Sequence, residues 1–256
     1  MFFKKRRLIA DHEAKWIADQ FAWFFQRFDH NWLRSRRLIL PTSEFFSAAK
    51  GNDHNTALAV FAEIKSHMGL GDDWPCELEA QEPAPMPQAV TDSVLIQPGA
   101  SPINGTFRMT QTGGLITYDP DLLASPKAFI ATMVHELSHY AILTQPARAE
   151  WETKPMLEEL VTDLFVIASG FGIFKIESIT NASAFQSPLA QGWSISHAGY
   201  ISPELAAVAL AFYLRLNDQD PDLAKPHLSG LNQKRLTRAL HQLDRDAELL
   251  NAASPK

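Results

Sequence analysis

The chain of 256 residues contains 46% hydrophobic and 20% charged residues, a composition that excludes a disordered protein and predicts a globular one with a sizeable core. The formal net charge is -6, but it is uneven, because the first 37 residues hold nine Lys or Arg against four acids. That start carries +5 and the remainder -11. An acidic body repels phosphate backbones, so we expect no nucleic-acid partner.

The number of cysteines and the N-terminal sequence predict the cellular compartment of the protein. Cys76 is the single cysteine, so no intrachain disulfide can form and a reducing environment is expected. Basic residues near the N-terminus are not followed by the apolar segment of a signal peptide, because Asp11, His12 and Glu13 interrupt it. No run of about 18 apolar residues occurs. We therefore expect a cytoplasmic protein without a membrane span.

Two amphipathic helices are predicted first along the chain. Apolar residues recur at helical spacing over residues 13–28 and again over 56–69. Residues 71–92 change character, because several prolines and acids there predict an extended connector. We place in this connector the boundary between an N-terminal helical part, residues 1–90, and a second part, residues 91–256.

The second part begins with short strand candidates and continues with helices. The strands are predicted over residues 93–97, 106–110 and Gly114–Tyr118. The helices are predicted over about residues 125–143, 155–169, 202–216 and 233–250. Ser125 and Ser202 are suitable N-caps, each followed by a proline in the first turn. We therefore expect an α+β fold that is mainly helical, with a short sheet.

Residues 135–139, His-Glu-Leu-Ser-His, lie inside the helix predicted from Ser125. Residues four apart share a helix face, so His135 and His139 can bind one metal ion from adjacent turns. Glu136 projects beside them and can act on a coordinated water without binding the metal. The alternative is a polar helix with two solvated histidines. Apolar neighbours favour burial, which requires partners such as a metal; they are Ile130, Met133, Val134, Ala141 and Ile142.

The next predicted helix supplies a third metal ligand. Catalytic zinc usually has three protein ligands and keeps a fourth position open. Glu159 and Asp163 are four apart on one helix face, so Glu159 is predicted to bind the metal. Asp163 is predicted to accept the ring N–H of a liganding histidine and so to fix its tautomer. The alternative interpretation is a solvated acidic face.

These residues resemble the gluzincins, the thermolysin-like clan of zinc peptidases, over residues 126–170. The resemblance implies a zincin-like catalytic domain in residues 91–256. It also implies roles for individual residues: zinc binding by His135, His139 and Glu159, activation of water by Glu136, and support of a histidine by Asp163. Glu158 stands where the clan usually has Asn, which leaves the choice between Glu158 and Glu159 as the third ligand open.

A wider set of short segments resembles an uncharacterised bacterial family. The segments are Trp16-Ile17, Leu40-Pro41-Thr42, residues 135–139, Gly170-Phe171-Gly172 and Gly199-Tyr200-Ile201-Ser202. No substrate is established for that group. This second resemblance therefore implies a fold rather than an activity.

Two features near the motif have open interpretations. The segment Gly114–Tyr118 is either an edge strand, to which an extended peptide adds, or an internal strand. His197 or Tyr200, just before the helix capped by Ser202, could stabilise the oxyanion of a tetrahedral intermediate. The alternative is that Tyr200 packs in the core and His197 is exposed.

The sequence thus predicts a zinc-dependent hydrolase, a peptidase that acts on a peptide or protein substrate with Glu136 as general base. It gives no indication of the oligomeric state. One alternative is a non-enzymatic zinc-binding module that recognises a partner and carries a degenerate peptidase site. Another is a deformylase-like amidase, in which a cysteine is the third ligand; Cys76 would have to take that role.

Overall fold

The computed structural model describes residues 7–82, 105–145, 154–185 and 201–253. In chain order their main elements are α1 Asp11–Arg27, α2 His30–Arg34, α3 His54–Met68, β1 Cys76–Ala80, β2 Gly105–Met109, β3 Gly114–Tyr118, α4 Pro126–Leu143, α5 Pro155–Val166, α6 Gly172–Phe185, α7 Pro203–Leu216, α8 Gly230–Leu243 and α9 Ala247–Ala253. The predicted α+β class, mainly helical with a short sheet, is confirmed for these residues. None of their helices is long and apolar enough to cross a membrane.

The three strands form one sheet in the order β1-β3-β2. β1 runs parallel to β3, and β2 runs antiparallel to it. Segment Gly114–Tyr118 is therefore the internal strand of this sheet, and its interpretation as an edge strand is wrong. Among the described strands, β1 and β2 are the outer ones. The strand predicted over residues 93–97 lies outside the described residues.

β1 lies in the segment that was expected to be a connector. Leu78 is buried while Glu77 and Glu79 on either side are exposed, which is the alternation of a half-buried strand. The nearby prolines hide this short pattern in the sequence. Residues 76–80 are extended as part of the sheet, where Leu78 pairs with Ile116 of β3, and the end of the predicted connector, residues 83–92, lies outside the described residues.

α4 is the central helix of the fold. It packs against β2 and β3 on one side and against α3, α5 and α6 on others. A helix that is apolar on most sides is expected in such a place. Its buried apolar residues are Phe129, Ile130, Ala131, Met133, Val134, Leu137, Tyr140, Ala141 and Ile142.

The aromatic residues of α1 pack into the same core. Phe24 meets Phe165 of α5 with ring centroids 5.2 Å apart, and Phe21 stacks on Phe212 of α7 at 5.9 Å. One cluster of buried residues extends from Ile9 to Ala253. The described residues of 1–90 and of 91–256 therefore share one hydrophobic core.

The chain changes direction after α5. A wide helical turn at Ile167–Phe171 follows, in which Gly170 adopts φ +98°. A Cβ at residue 170 would lie 2.7 Å from the carbonyl oxygen of Arg37, so no other residue fits without strain. The helix predicted to end at Gly170 is regular only to Val166, and Gly170 is the non-helical residue of the wide turn that follows. α6, which then begins, was not predicted.

The C-terminal helix predicted over residues 233–250 is two helices, α8 and α9. The break falls between them, where Asp244 pairs with Arg215 and Asp246 pairs with Arg7. The apolar periodicity continues across the break because both helices bury one face on the same core. Periodicity alone therefore did not reveal the interruption.

Candidate metal centre

α4 presents His135 and His139 on one face. Their Nε2 atoms lie 3.1 Å apart, and each side chain is 13% exposed. The shared face follows from the helical spacing of four residues. Partial burial follows from the packing of α4 on all sides, and it makes interaction partners for both rings necessary.

α5 brings Glu159 to these two rings. Its Oε2 lies 3.2 Å from Nε2 of His135, and its Oε1 lies 3.5 Å from Nε2 of His139. One donor atom from each residue falls within 4.8 Å of the others, so His135, His139 and Glu159 form a group that could hold a metal ion. We call it the three-donor group. The described part of the chain contains no second group of this kind.

The neighbouring acid and the single cysteine occupy different positions. Glu158 Oε1 lies 3.8 Å from Nδ1 of His139, the ring nitrogen that faces away from the three-donor group. Cys76 lies in β1 and does not belong to the group. Burial raises the pKa of the Cys76 thiol to about 11, which disfavours the thiolate that binds metals. The described residues therefore do not form the ligand set of a deformylase-like enzyme.

Asp163 lies behind His135 and is completely buried. Its Oδ1 is 2.9 Å from Nδ1 of His135, and its Oδ2 accepts a 3.1 Å hydrogen bond from the backbone N–H of Ile201. Burial by itself would raise the pKa of the Asp163 carboxyl. The positive charge of Lys175 and the contact with His135 outweigh it, so the pKa lies below its ordinary value.

Lys175, on α6, is the functional candidate that sequence reasoning missed. Its side chain is 8% exposed, and its Nζ forms an ion pair with Oδ1 of Asp163. A lysine between the buried Phe174 and Ile176 was the available signal, since lysine is almost never buried without a partner. Among the described Asp, Glu, Lys and Arg residues, those that are buried are Glu136, Asp163 and Lys175. All three belong to this one site.

The charged groups around His135 favour the binding of a cation, either a proton or a metal ion. Burial and the nearby Lys175 lower the pKa of the His135 imidazole, but Asp163 and Glu159 raise it more, and the result is a pKa of about 9. The two histidines in turn hold the pKa of the Glu159 carboxyl well below its ordinary value, against the effect of burial. The site attracts a proton for the same reason that it would attract a divalent metal.

Glu136 lies beside the three-donor group and is 8% exposed. Burial raises the pKa of its carboxyl, although the two histidines pull in the opposite direction. β2 covers this residue: a Cβ at Gly105 would lie 3.4 Å from Cγ of Glu136. Glu136 is therefore a shielded carboxyl with an increased affinity for a proton.

The Nδ1 atom of His139 also lies close to a side-chain oxygen atom. Thr162 of α5 is buried, and its Oγ1 lies 3.4 Å from Nδ1 of His139. Both histidines thus have an oxygen partner at Nδ1 and direct Nε2 towards Glu159. This orientation is the one that a metal bound at Nε2 requires.

His197 and Tyr200 lie outside the described residues. The chain is described again from Ile201, whose N–H binds Asp163. Ser202 caps α7 as predicted, because its side chain accepts a hydrogen bond from the backbone N–H of Leu205. The predicted oxyanion role of His197 or Tyr200 stays a prediction.

No family model, curated protein or solved structure matches this chain. The resemblance to gluzincins over residues 126–170 therefore rests on the motif residues alone. The chemistry of the site has to be argued from the geometry of its own side chains.

Proposed function

We propose that this protein is a zinc-dependent hydrolase that cleaves peptide bonds, with His135, His139 and Glu159 as metal ligands and Glu136 as general base. One observation carries the proposal: two imidazoles and one carboxylate converge within 4.8 Å, next to a second carboxylate that is buried. Two nitrogens and one oxygen are the donor set of His-His-Glu catalytic zinc sites.

The number of donors supports a catalytic site over a structural one. Structural zinc sites usually fill four positions with protein ligands, often cysteines. Within the described residues the group contains three, and Cys76 is not among them. Three donors are the number found at catalytic zinc sites, which keep a fourth position open for the water that a hydrolase needs.

The burial of Glu136 supports its role as general base. The metal, when bound, lowers the pKa of water and polarises the scissile carbonyl. Glu136 takes a proton from the attacking water and delivers it to the leaving amine. Burial raises the pKa of the Glu136 carboxyl in the metal-free protein, which increases its affinity for the proton that a general base has to accept.

The helices and the strand around the three-donor group support the proposal of a zincin-like core that binds its peptide substrate in an extended conformation. α4 carries the motif, α5 carries Glu159, and β2 runs along α4 at an edge of the sheet. Among the described strands β2 pairs only with β3, so a peptide can add along its other side. The Gly105 end of β2 covers Glu136, and a peptide bound there passes close to the general base.

The test compares the wild type with Glu136→Gln. We expect both proteins to bind one zinc ion, measured by mass spectrometry of the metal, and we expect only the wild type to cleave members of a peptide library. The rate should fall by about a hundred- to ten-thousandfold in the variant, because one proton-transfer group is lost.

Two outcomes would contradict this proposal. If neither protein binds metal when zinc is offered, the hydrolase hypothesis is wrong. If both bind zinc but cleave no peptide, the alternative gains support, namely a zinc-binding module that recognises a partner with a degenerate site.

A further inference from the structure

We infer that Lys175 is a positioning residue of the metal centre: its ion pair with Asp163 holds the carboxylate that orients His135. This role rests on the proposed metal centre, but it does not require peptidase activity. It concerns a residue on α6 that does not belong to the three-donor group.

The burial of Lys175 demands an explanation. Its side chain is 8% exposed and its partner Asp163 is completely buried. A buried ion pair adds little to stability compared with well-packed apolar side chains of similar volume. The adjacent residues Phe174 and Ile176 are buried and apolar, so an apolar residue at position 175 would suit the core. The charge is better explained by what it does to Asp163.

Asp163 is held from three separate elements. Oδ1 contacts Nδ1 of His135 on α4 and Nζ of Lys175 on α6, and Oδ2 accepts the N–H of Ile201 before α7. The charge contacts at Oδ1 and the hydrogen bond at Oδ2 together restrain the carboxylate. Without Lys175, the partners that remain within the described part of the chain are His135 and the backbone N–H of Ile201, and we expect the carboxylate to be less restrained.

The orientation of His135 depends on that carboxylate. When Asp163 holds Nδ1, the ring directs Nε2 to the side where Glu159 lies 3.2 Å away. A displaced carboxylate would release the ring and weaken metal binding at Nε2. Changing an outer partner of a liganding histidine typically lowers metal affinity by about 10- to 100-fold.

The chain has to turn sharply between Asp163 and Lys175 for these two residues to form an ion pair. Lys175 follows Asp163 by twelve residues, and in a continuous helix that separation corresponds to roughly 18 Å along the axis. The break at Gly170, with φ +98°, brings α6 back so that Lys175 meets Asp163. The ion pair thus depends on a backbone conformation that glycine permits.

The test is a double-mutant cycle read out as zinc affinity. Zinc dissociation constants would be measured by chelator competition for the wild type, Lys175→Met, Asp163→Asn and the double variant, under conditions where circular dichroism shows each to be folded. We expect Lys175→Met to weaken zinc binding by about 10-fold or more. The double variant should be no more than about threefold weaker than Asp163→Asn, because both changes remove one interaction.

Two controls separate positioning from general stability. Lys65→Met removes a half-buried lysine that donates a hydrogen bond to the carbonyl of Trp74 and has no part in the three-donor group, so it should leave zinc affinity unchanged. In the zinc-bound protein, the Nδ1 proton of His135 should give a slowly exchanging NMR signal that exchanges faster in Lys175→Met. If Lys175→Met does not fold, Lys175→Arg and Lys175→Gln take its place, and Arg should retain more affinity than Gln.

The outcomes are distinct. A folded Lys175→Met variant that binds zinc within about threefold of the wild type would overturn this inference alone. If that variant does not fold, Lys175→Arg and Lys175→Gln variants with equal zinc affinities, both within about threefold of the wild type, would have the same meaning. Additive effects in the cycle would also overturn it, because Lys175 would then act independently of Asp163. A wild type that binds no zinc would overturn both this inference and the proposed function. Zinc binding without peptide cleavage would remove only the proposed function.

Discussion

Gly105 of β2 lies over Glu136 of α4, so close that a Cβ on residue 105 would be 3.4 Å from Cγ of Glu136 and 2.7 Å from Cγ2 of Thr132. The strand and the helix therefore meet at the proposed general base, with no side chain between them. This close approach excludes bulk water from one side of Glu136, and the burial of the carboxyl raises its pKa.

Replacing Gly105 by alanine should impair catalysis without removing the metal. The new Cβ requires a shift of the Thr132 side chain or of the strand, and a small displacement of a catalytic group lowers rates by about 10- to 100-fold. Steady-state cleavage of a peptide substrate and metal content would be measured together. Thr106→Ala, at an exposed position on the same strand, is the control and should remain active. An unchanged rate in Gly105→Ala would show that the approach of β2 is not critical.

Glu159 and Glu158 should differ sharply when each is changed to glutamine. Glu159 faces Nε2 of both histidines, whereas Glu158 lies 3.8 Å from Nδ1 of His139. Glu159→Gln should lose more than about 100-fold in zinc affinity, since a ligand matters more than an outer partner. Glu158→Gln is the matched control and should change affinity by less than about tenfold. The reverse ranking would make Glu158 the ligand.

Helical spacing predicts the residues that share a face, and this is why the motif could be interpreted from the sequence. His135 and His139 follow from the period of α4, and the Glu159 and Asp163 pair follows from the period of α5. The mainly helical α+β class follows in the same way from the long apolar periodicities. These features depend on residues close together in the chain.

The features that were missed depend on contacts between distant segments. Lys175 becomes a site residue only because Gly170 turns the chain, and no local pattern reports where α6 then points. The five-residue strand β1 is too short for a periodic signal, and it is stabilised by pairing with β3. The central place of β3 is likewise a property of the assembled sheet.

Zinc affinity should depend on pH up to about pH 9. The contacts with Asp163 and Glu159 raise the pKa of His135 to about 9 in the metal-free protein. Below that pH a proton must leave His135 for each metal bound, so affinity should fall by about tenfold per pH unit. Chelator competition between pH 7 and 8.5 measures the slope. An ordinary histidine would give only a shallow slope near pH 7 and almost none at pH 8.5, because its pKa is about 6.5.

The same proton of His135 should make the free energy of unfolding of the metal-free protein depend on pH. This free energy should fall as the pH rises, whereas zinc affinity should increase. The folded-state pKa of His135 lies above the unfolded value, so protonation stabilises the fold. The contribution is complete below pH 6.5 and is lost as the pH rises through about 9. Its size should be on the order of 3 kcal/mol. Urea unfolding at pH 6 and pH 9.5, with chelator present, would measure the loss, and Asp163→Asn should reduce it.

Gly170→Ala should destabilise the fold and weaken the metal centre together. A residue with a Cβ at φ +98° is strained, and this Cβ would also lie 2.7 Å from the carbonyl oxygen of Arg37. We expect the free energy of unfolding to fall by about 2–3 kcal/mol. Gly71→Ala is the matched control, because a Cβ at residue 71 would have no atom within 4 Å, and it should be nearly neutral. Because Gly170 directs α6, zinc affinity should fall as well, as is also expected for Lys175→Met. A destabilised Gly170→Ala whose folded form binds zinc as the wild type does would show that the turn serves packing alone.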